Sequence, residues 1–373
     1  MRVLLVQSGG PTTVLNASLA GALGILRAAG CETMGARDGA RGLASGPYLP
    51  LAGPVPAWLP FAPGAALGAG RGGLDADQLA PVVRRLDAEG FGGCLLFGGN
   101  GTMALGAALL ATSRALGTHL SVVGVPKTID NDLEGTDHTP GYPSAASFVA
   151  AAVRDMADDL DAMAGFEDVR LIEVMGRRAG WLAGAAVLAR RHPEDAPHFV
   201  LIPEVPVDIA AFVHAVGLRR TRGPVLVVVA EGVVNAQGRA LGQHVLDPSG
   251  RTVVFSGAAQ QLSAVLRARL GLRSRAESLG FLPRCLRLAQ TARDRQEAQL
   301  LGARAAQALV GGEGGCMVGL APAGRGVARV PLEAVAGRER RLPAEMRDLG
   351  QGFIRWLAPL VEAPSAWPPA RLI

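Results

Sequence analysis

The segment GVPKTIDND (residues 124–132) ends an apolar run with one cation and two carboxylates. Lys127 is the only lysine in 373 residues, so the other 36 of the 37 basic residues are Arg. A flexible ammonium beside two carboxylates suits a site that handles transferring phosphoryl groups. Asp130 and Asp132 stand two apart, and an extended backbone would point them to opposite sides. One can then take the proton of a substrate hydroxyl while the other holds Mg2+ or its waters. The plainer alternative for Asp-Asn-Asp is a solvated turn with a helix cap. Two further stretches, Gly9-Gly10 and Gly98-Gly99-Asn100-Gly101, each join an apolar run to an Ala-rich one. Glycine lets the backbone approach an oxyanion closely, and a helix start offers it free N–H groups. Neither stretch is a GxGxxG or a GxxxxGK[ST], so the dinucleotide and P-loop readings lack their residues.

These groups need a scaffold. Short apolar runs alternate with Ala-rich helical stretches almost throughout, the pattern of parallel α/β units. RVLLVQ, GGCLLF, LSVVGVP, VRLIEVMG, HFVLIPEV, VLVVVAEG and GGCMVGL read as strands, with another near ESLGFL. Val149, Val153, Met156, Leu160 and Met163 keep helical spacing and predict an amphipathic helix over 144–164. Further helices are expected over 178–191, near 208–220, over 254–270 and 294–310, and in AEMRDLGQGFIRWL. In a parallel sheet the carboxyl ends of the strands share one rim, where the glycine turns and Asp130 would converge.

The totals narrow the class. At 373 residues the chain is long enough for two domains, with a break expected near 138. No apolar run reaches bilayer length, and four separated cysteines without a CxxC pair point to reduced thiols, no zinc and a cytoplasmic home. A net charge of +5 suits an anionic partner. With only 4% aromatic residues and no basic run among them, phosphorylated small molecules fit and nucleic acid does not. No membrane association is expected.

GGNGT (98–102), PKTIDNDLEGTDHTPGYPSA (126–145) and EVMGRRAGWLA (173–183), in this order and spacing, resemble the phosphofructokinase family, and the resemblance runs from the first strand to about residue 310. It implies two Rossmann-like α/β domains with mostly parallel sheets and an active site in the interdomain cleft. Residues 1–138 plus about 252–310 would bind the donor, and 139–251 plus about 311–373 the sugar phosphate. The implied reaction is Mg2+-dependent phosphorylation of the 1-hydroxyl of fructose 6-phosphate by diphosphate or ATP, in a homodimer or homotetramer.

Matched to the family's motifs, Asp130 is the general base, and Thr128 and Asp132 lie near the transferred phosphoryl and the magnesium. Met175, Gly176 and Arg177 line the sugar phosphate, and Glu231 hydrogen-bonds its hydroxyls. Gly10, Arg71, Gly99, Asn100, Gly101 and Thr102 face the donor, while Arg275 and Arg284 hold the 6-phosphate. Three positions depart from the pattern. Asn100 stands where the family usually has a magnesium-binding Asp, and Phe281 where many ATP-using members have a phosphate-binding His. Asp168 replaces an Arg that a neighbouring subunit often lends, although Arg170 is close by.

The donor signals divide. Lys127 and the head GGPTTVLNAS resemble diphosphate-using members. Gly101 replaces the acidic residue by which such members exclude ATP. The balance falls to diphosphate. Asn100 and Phe281 keep a rival open, a weak or silent paralogue that binds sugar phosphate as a regulator, or a kinase of another phosphosugar. His192 and His198 lack metal-ligand spacing and read as surface residues, and His138 falls where it can support the Asp130 loop without touching substrate. Trp181 reads as packing beneath the Met175–Arg177 loop.

Overall fold

Apolar runs without alternation mark strands covered on both faces, and the Ala-rich stretches between them supply the covering helices. The computed structural model describes residues 1–70, 73–245, 253–322 and 325–362. Its strands begin with β1 (Arg2–Gln7), β2 (Glu32–Ala36), β3 (Leu49–Pro50), β4 (Phe91–Gly98), β5 (Ser121–Pro126) and β6 (Val169–Val174). They continue with β7 (Phe199–Leu201), β8 (Val225–Ala230), β9 (Gln243–Val245), β10 (Val253–Phe255), β11 (Ser274–Ser278), β12 (Cys316–Leu320) and β13 (Val327–Pro331).

The chain divides into two units. The first comprises Met1–Pro143 and Arg284–Arg340 and holds a seven-stranded sheet in the order β13-β12-β5-β4-β1-β2-β3. Its five inner strands are parallel, and the edges β3 and β13 are antiparallel. Val3, Leu5, Leu95, Phe97, Val123 and Val125 bury one face against helices Leu15–Ala28 and Ala292–Val310. Leu4, Val6, Leu96 and Val122 bury the other against helices Ala76–Ala88 and Asn100–Leu116. Burial pushes the Cys94 thiol up to about 12, which leaves it unreactive at neutral pH.

The second unit comprises Ser144–Pro283 and Arg341–Ile373. Its four-stranded sheet, β11-β6-β8-β7, is parallel throughout, and β9 pairs antiparallel with β10 in a separate ribbon. Every residue of β6 and β8 is buried. The buried carboxylate of Glu173 on β6 accepts the N–H groups of Gly257 and Ala259, both at 3.0 Å, and so caps helix Ala258–Leu270.

The α/β class and its mostly parallel sheets are as expected, but the division of the chain is not. Residues 252–283 were assigned to the first domain, yet β11 pairs with β6 and belongs to the second unit. Residues 311–340 were assigned to the second, yet β12 pairs with β5 and carries β13 with it into the first. Pairing of strands far apart in the chain leaves no local mark, which is why the boundaries moved.

Local boundaries shift for local reasons. The helix expected over 144–164 runs Tyr142–Ala162. The one expected over 178–191 is a single turn, Trp181–Gly184, followed by a 3-10 turn at Ala185–Ala189. The strand expected near ESLGFL ends at Ser278, since Gly280 takes φ 52° and Pro283 lacks an N–H. AEMRDLGQGFIRWL breaks into a 3-10 turn at Ala344–Met346 and helix Gln351–Leu357, because Leu349 adopts φ 53°. Among the described residues no helix is long and apolar enough to cross a membrane.

Helices Leu15–Ala28 and Ala292–Val310 meet backbone to backbone. A Cβ on Gly21 would lie 2.1 Å from the Gln299 carbonyl oxygen, and one on Gly302 only 1.9 Å from that of Ser18. Gly302→Ala must force the helices apart, an overpacking cost of about 1–3 kcal/mol. We predict a lowered thermal midpoint for this variant by circular dichroism, and an unchanged midpoint would mean that the crossing yields freely.

Candidate active site

In the first unit β5, β4 and β1 lie side by side, so the loops leaving their carboxyl ends share a rim. After β1 the chain turns at Gly9, whose φ of 78° suits glycine, and the Gly9 N–H donates to the Gly70 carbonyl at 3.0 Å. After β5 comes Lys127, only 3% exposed, and its Nζ donates to the Gly10 carbonyl at 2.5 Å. Arg284 closes on the same turn, since a Cβ on Gly10 would stand 2.7 Å from its Nη1. Two cations therefore meet at one glycine turn, where an incoming anion would find both.

After β4, Gly99 precedes helix Asn100–Leu116, and Thr102 is buried in its first turn. Asn100 donates through Nδ2 to the Asp132 carboxylate at 2.9 Å and to its main-chain oxygen at 3.1 Å. Among the described residues a Cβ on Gly101 would meet nothing within 4 Å, so the helix start has open space beside it. The Asp130 loop is not extended as its spacing suggested. Asn131 is fully buried at φ 53°, and its Oδ1 accepts the N–H of Thr139 at 3.0 Å. That left-handed residue turns the chain between the two carboxylates. Asp130 is half-buried, and its N–H donates to Thr128 Oγ1 at 3.1 Å. Burial pushes the Asp132 carboxyl up from its usual range, while hydrogen bonds from Thr128 and Asn100 pull it back.

The donor set agrees with a hard cation. Asp132 offers a carboxylate that burial leaves short of counter-charge, and the buried Asn100 Oδ1 has no hydrogen-bond partner among the described residues. One or two protein oxygens are what Mg2+ commonly takes when substrate phosphates and waters complete its shell. No cluster of three or more His, Cys, Asp or Glu able to hold a metal occurs among the described residues.

In the second unit β6 and β8 end together, with Val174 in register with Ala230. Beyond them the Glu231 N–H donates to the Val174 carbonyl at 2.9 Å, and that of Gly232 to Gly176 at 3.2 Å. Gly176 sits at φ 141°, and a Cβ on Gly232 would lie 1.6 Å from the Arg177 carbonyl oxygen. Met175, Gly176 and Arg177 are thereby folded against Glu231, with Arg177 exposed. Glu204 fastens the next turn by accepting the Gly180 N–H at 3.0 and 3.1 Å. Trp181 is buried as expected, with its ring centroid 4.7 Å from that of Trp356.

The structure does not bring Arg275 to this rim. Arg275 pairs in register with Arg170, well back from the strand ends, and lies 5.7 Å over the Phe166 ring. It and Arg284 belong to different units, with Arg284 at the Gly10 turn. Arg71 lies outside the described residues. Of the departures read from the sequence, Asp168 is engaged within the second unit. Asp168 takes hydrogen bonds from Arg273 and Arg220, which hold its carboxyl well below the usual range. Arg170 is likewise engaged, by Glu167 at 2.7 Å and Asp159 at 2.6 Å. His198 is half-buried, not at the surface; burial and the nearby Arg219 and Arg190 lower its pKa to about 4.

Two supports of the Asp130 loop escaped sequence reasoning. The Arg340 N–H donates to the Asp132 carbonyl at 2.8 Å, and Glu297 contacts His138 Nε2 at 2.7 Å. Both partners come from segments remote in the chain, with no motif to announce them.

The family model described as Phosphofructokinase matches residues 2–309. A sulfofructose kinase of Alkalicoccus urumqiensis is 35% identical over 98% of this chain and 96% of its own. A pyrophosphate–fructose 6-phosphate 1-phosphotransferase of Xanthomonas campestris is also 35% identical, over 98% of this chain and 93% of its own. Other relatives are named ATP-dependent 6-phosphofructokinases. Among solved structures, a pyrophosphate-dependent phosphofructokinase of Nitrosospira multiformis superposes with a TM-score of 0.86 at 27% identity, covering 99% of this chain and 94% of that one.

Asn100→Asp should set a second carboxylate against Asp132 in place of an amide donor. In chelator the variant should melt below the parent chain, and Mg2+ should raise its midpoint more than it raises the parent's. Equal Mg2+ responses, followed by differential scanning fluorimetry, would remove this pair from the metal site.

Proposed function

The chain belongs to the phosphofructokinase family, and from that membership we propose that it transfers a phosphoryl group from diphosphate to the 1-hydroxyl of fructose 6-phosphate, a glycolytic step. Phosphotransferase activity is the family's property; the donor and acceptor are this proposal's content. The observation that carries it is the buried Lys127 ammonium on the Gly10 carbonyl, with Arg284 beside it. Two cations at a glycine turn make a receptor for phosphoryl oxygens.

In this reading Asp130 takes the proton of the acceptor hydroxyl. The new O–P bond forms as the bridging P–O bond of diphosphate breaks, and inorganic phosphate leaves with the bonding electrons. Lys127 exchanges its carbonyl partner for the phosphoryl oxygens, and Thr128 and Thr102 orient them. Asp132 and Asn100 would hold Mg2+, which would supply further neutralisation of the donor's charge. Met175, Gly176, Arg177 and Glu231 hold the sugar. Arg275 stands apart from them, so a second copy of the chain is where it would meet a sugar phosphate, which favours a homo-oligomer.

A second acceptor has specific support. The exposed Phe281 and the engaged Asp168 reduce the positive charge offered to the 6-substituent. A sulfonate carries one negative charge where a phosphate carries about two. The likeness to a sulfofructose kinase makes sulfofructose the rival acceptor.

The reading is tested by assaying each sugar with diphosphate and ATP in separate reactions. Diphosphate with fructose 6-phosphate should be the fastest pair. Asp130→Asn should lower turnover about 10²- to 10⁴-fold while sugar-phosphate binding persists, and retained turnover would dismiss Asp130 as the base. Gly101→Asp fits the open space beside the helix start and should depress any ATP reaction far more than the diphosphate one.

A further inference from the structure

His138 is 4% exposed and lies six residues beyond Asp132. Both of its ring nitrogens face carboxylates, Nδ1 at 2.9 Å from Asp137 Oδ2 and Nε2 at 2.7 Å from Glu297 Oε2. Glu297 sits on helix Ala292–Val310 and is itself paired with Arg293 at 2.8 Å. Asp294, one turn earlier on that helix, accepts the Gly141 N–H at 2.9 Å. Arg340 lies near enough to Asp137 to feel its charge. From His138 the connection continues inward. Its carbonyl accepts the Thr136 hydroxyl at 2.7 Å, and the N–H of the next residue, Thr139, donates to Asn131 Oδ1 at 3.0 Å. Asn131 is the left-handed residue between Asp130 and Asp132.

We propose that His138 is a positioning residue, which fastens the Asp130–Asp132 loop to helix Ala292–Val310 by donating to Asp137 and Glu297 at once. A neutral imidazole has one N–H and can satisfy only one of the two carboxylates; the charged ring satisfies both. Burial alone would lower the proton affinity of this ring, but its hydrogen bonds to the two carboxylates, with their negative charge, outweigh burial and raise it above the ordinary 6.5. The sign follows from linkage. The clasp is complete at lower pH and opens as pH rises through the raised value, and with it the loop loses its hold on Asp130.

The inference rests on the phosphoryl-transfer reading for its effect on turnover, but not for its effect on the loop. The full chain, His138→Gln and Glu297→Gln are compared by kcat and KM against pH, using whichever donor and sugar are active, and by hydrogen exchange over residues 127–141. His138→Gln should lower kcat about tenfold or more with KM little changed, as small misplacements of a reacting group do. It should also abolish the alkaline fall of kcat, and Glu297→Gln should move that fall to lower pH. Both variants should exchange faster over 127–141. Parental kcat in His138→Gln, or a loss confined to KM, overturns the proposal. Should that variant not fold, an unmoved alkaline fall in Glu297→Gln overturns it. If no pair of substrates turns over, the functional reading fails separately; unchanged exchange over 127–141 in His138→Gln then overturns this proposal, and faster exchange sustains it.

Discussion

A buried ammonium has to be met by oxygen, and much of the first unit follows from that requirement. Leaving such a charge unmet costs on the order of several kcal/mol. Lys127 stands at the end of β5 and finds the Gly10 carbonyl beyond β1, with β4 between the two strands. The two loops are thus held at one side-chain length. The turn after β1 can present its carbonyl only because Gly9 takes a left-handed conformation and Gly10 leaves room for the Arg284 guanidinium. In the proposed reaction a lysine would serve here better than an arginine, since a point charge on a flexible stem can follow a phosphoryl group as it moves.

The second unit solves a different problem by similar means. Its rim must fold a short loop tightly against a neighbouring strand end, and Gly176 and Gly232 remove the side chains that would prevent it. At the start of β6, charge is tied up within that unit. The Asp168 and Arg170 pairs fasten the start of β6 to neighbouring elements, which fits a structural role for Asp168, a departure from the family's ligand-binding pattern.

Legibility followed chain distance. The Gly9-Gly10 turn, the Asp130–Asp132 pair and the strand before each could be read from residue types and order, because those residues are neighbours in sequence, whereas the Met175–Arg177 loop was legible through the family resemblance. The positions of Arg275 and Arg284 were not. They lie nine apart and share a motif, but the chain passes from one unit to the other between them. The division of the units failed at β11 and β12 because hydrogen bonding to β6 and β5 decided it. Asn131 was misread since an Asp-x-Asp spacing implies alternation only if the middle residue is extended, and its left-handed turn depends on Thr139. Glu297 was invisible; nothing in a polar helix face announces a histidine 159 residues upstream.

The empty space at Gly101 has a consequence in the language of mutation. Every glycine codon lies one base from an aspartate or a glutamate codon, and at this position no neighbour among the described residues resists the larger side chain. A lineage can therefore acquire or discard a negative charge beside the helix start in one step, without first repairing the core. Along the same chain Gly302 has no such latitude, because its neighbour is the backbone of another helix. Drift should therefore be uneven, with the residue at the helix start free to alternate while the scaffold beneath it stays fixed.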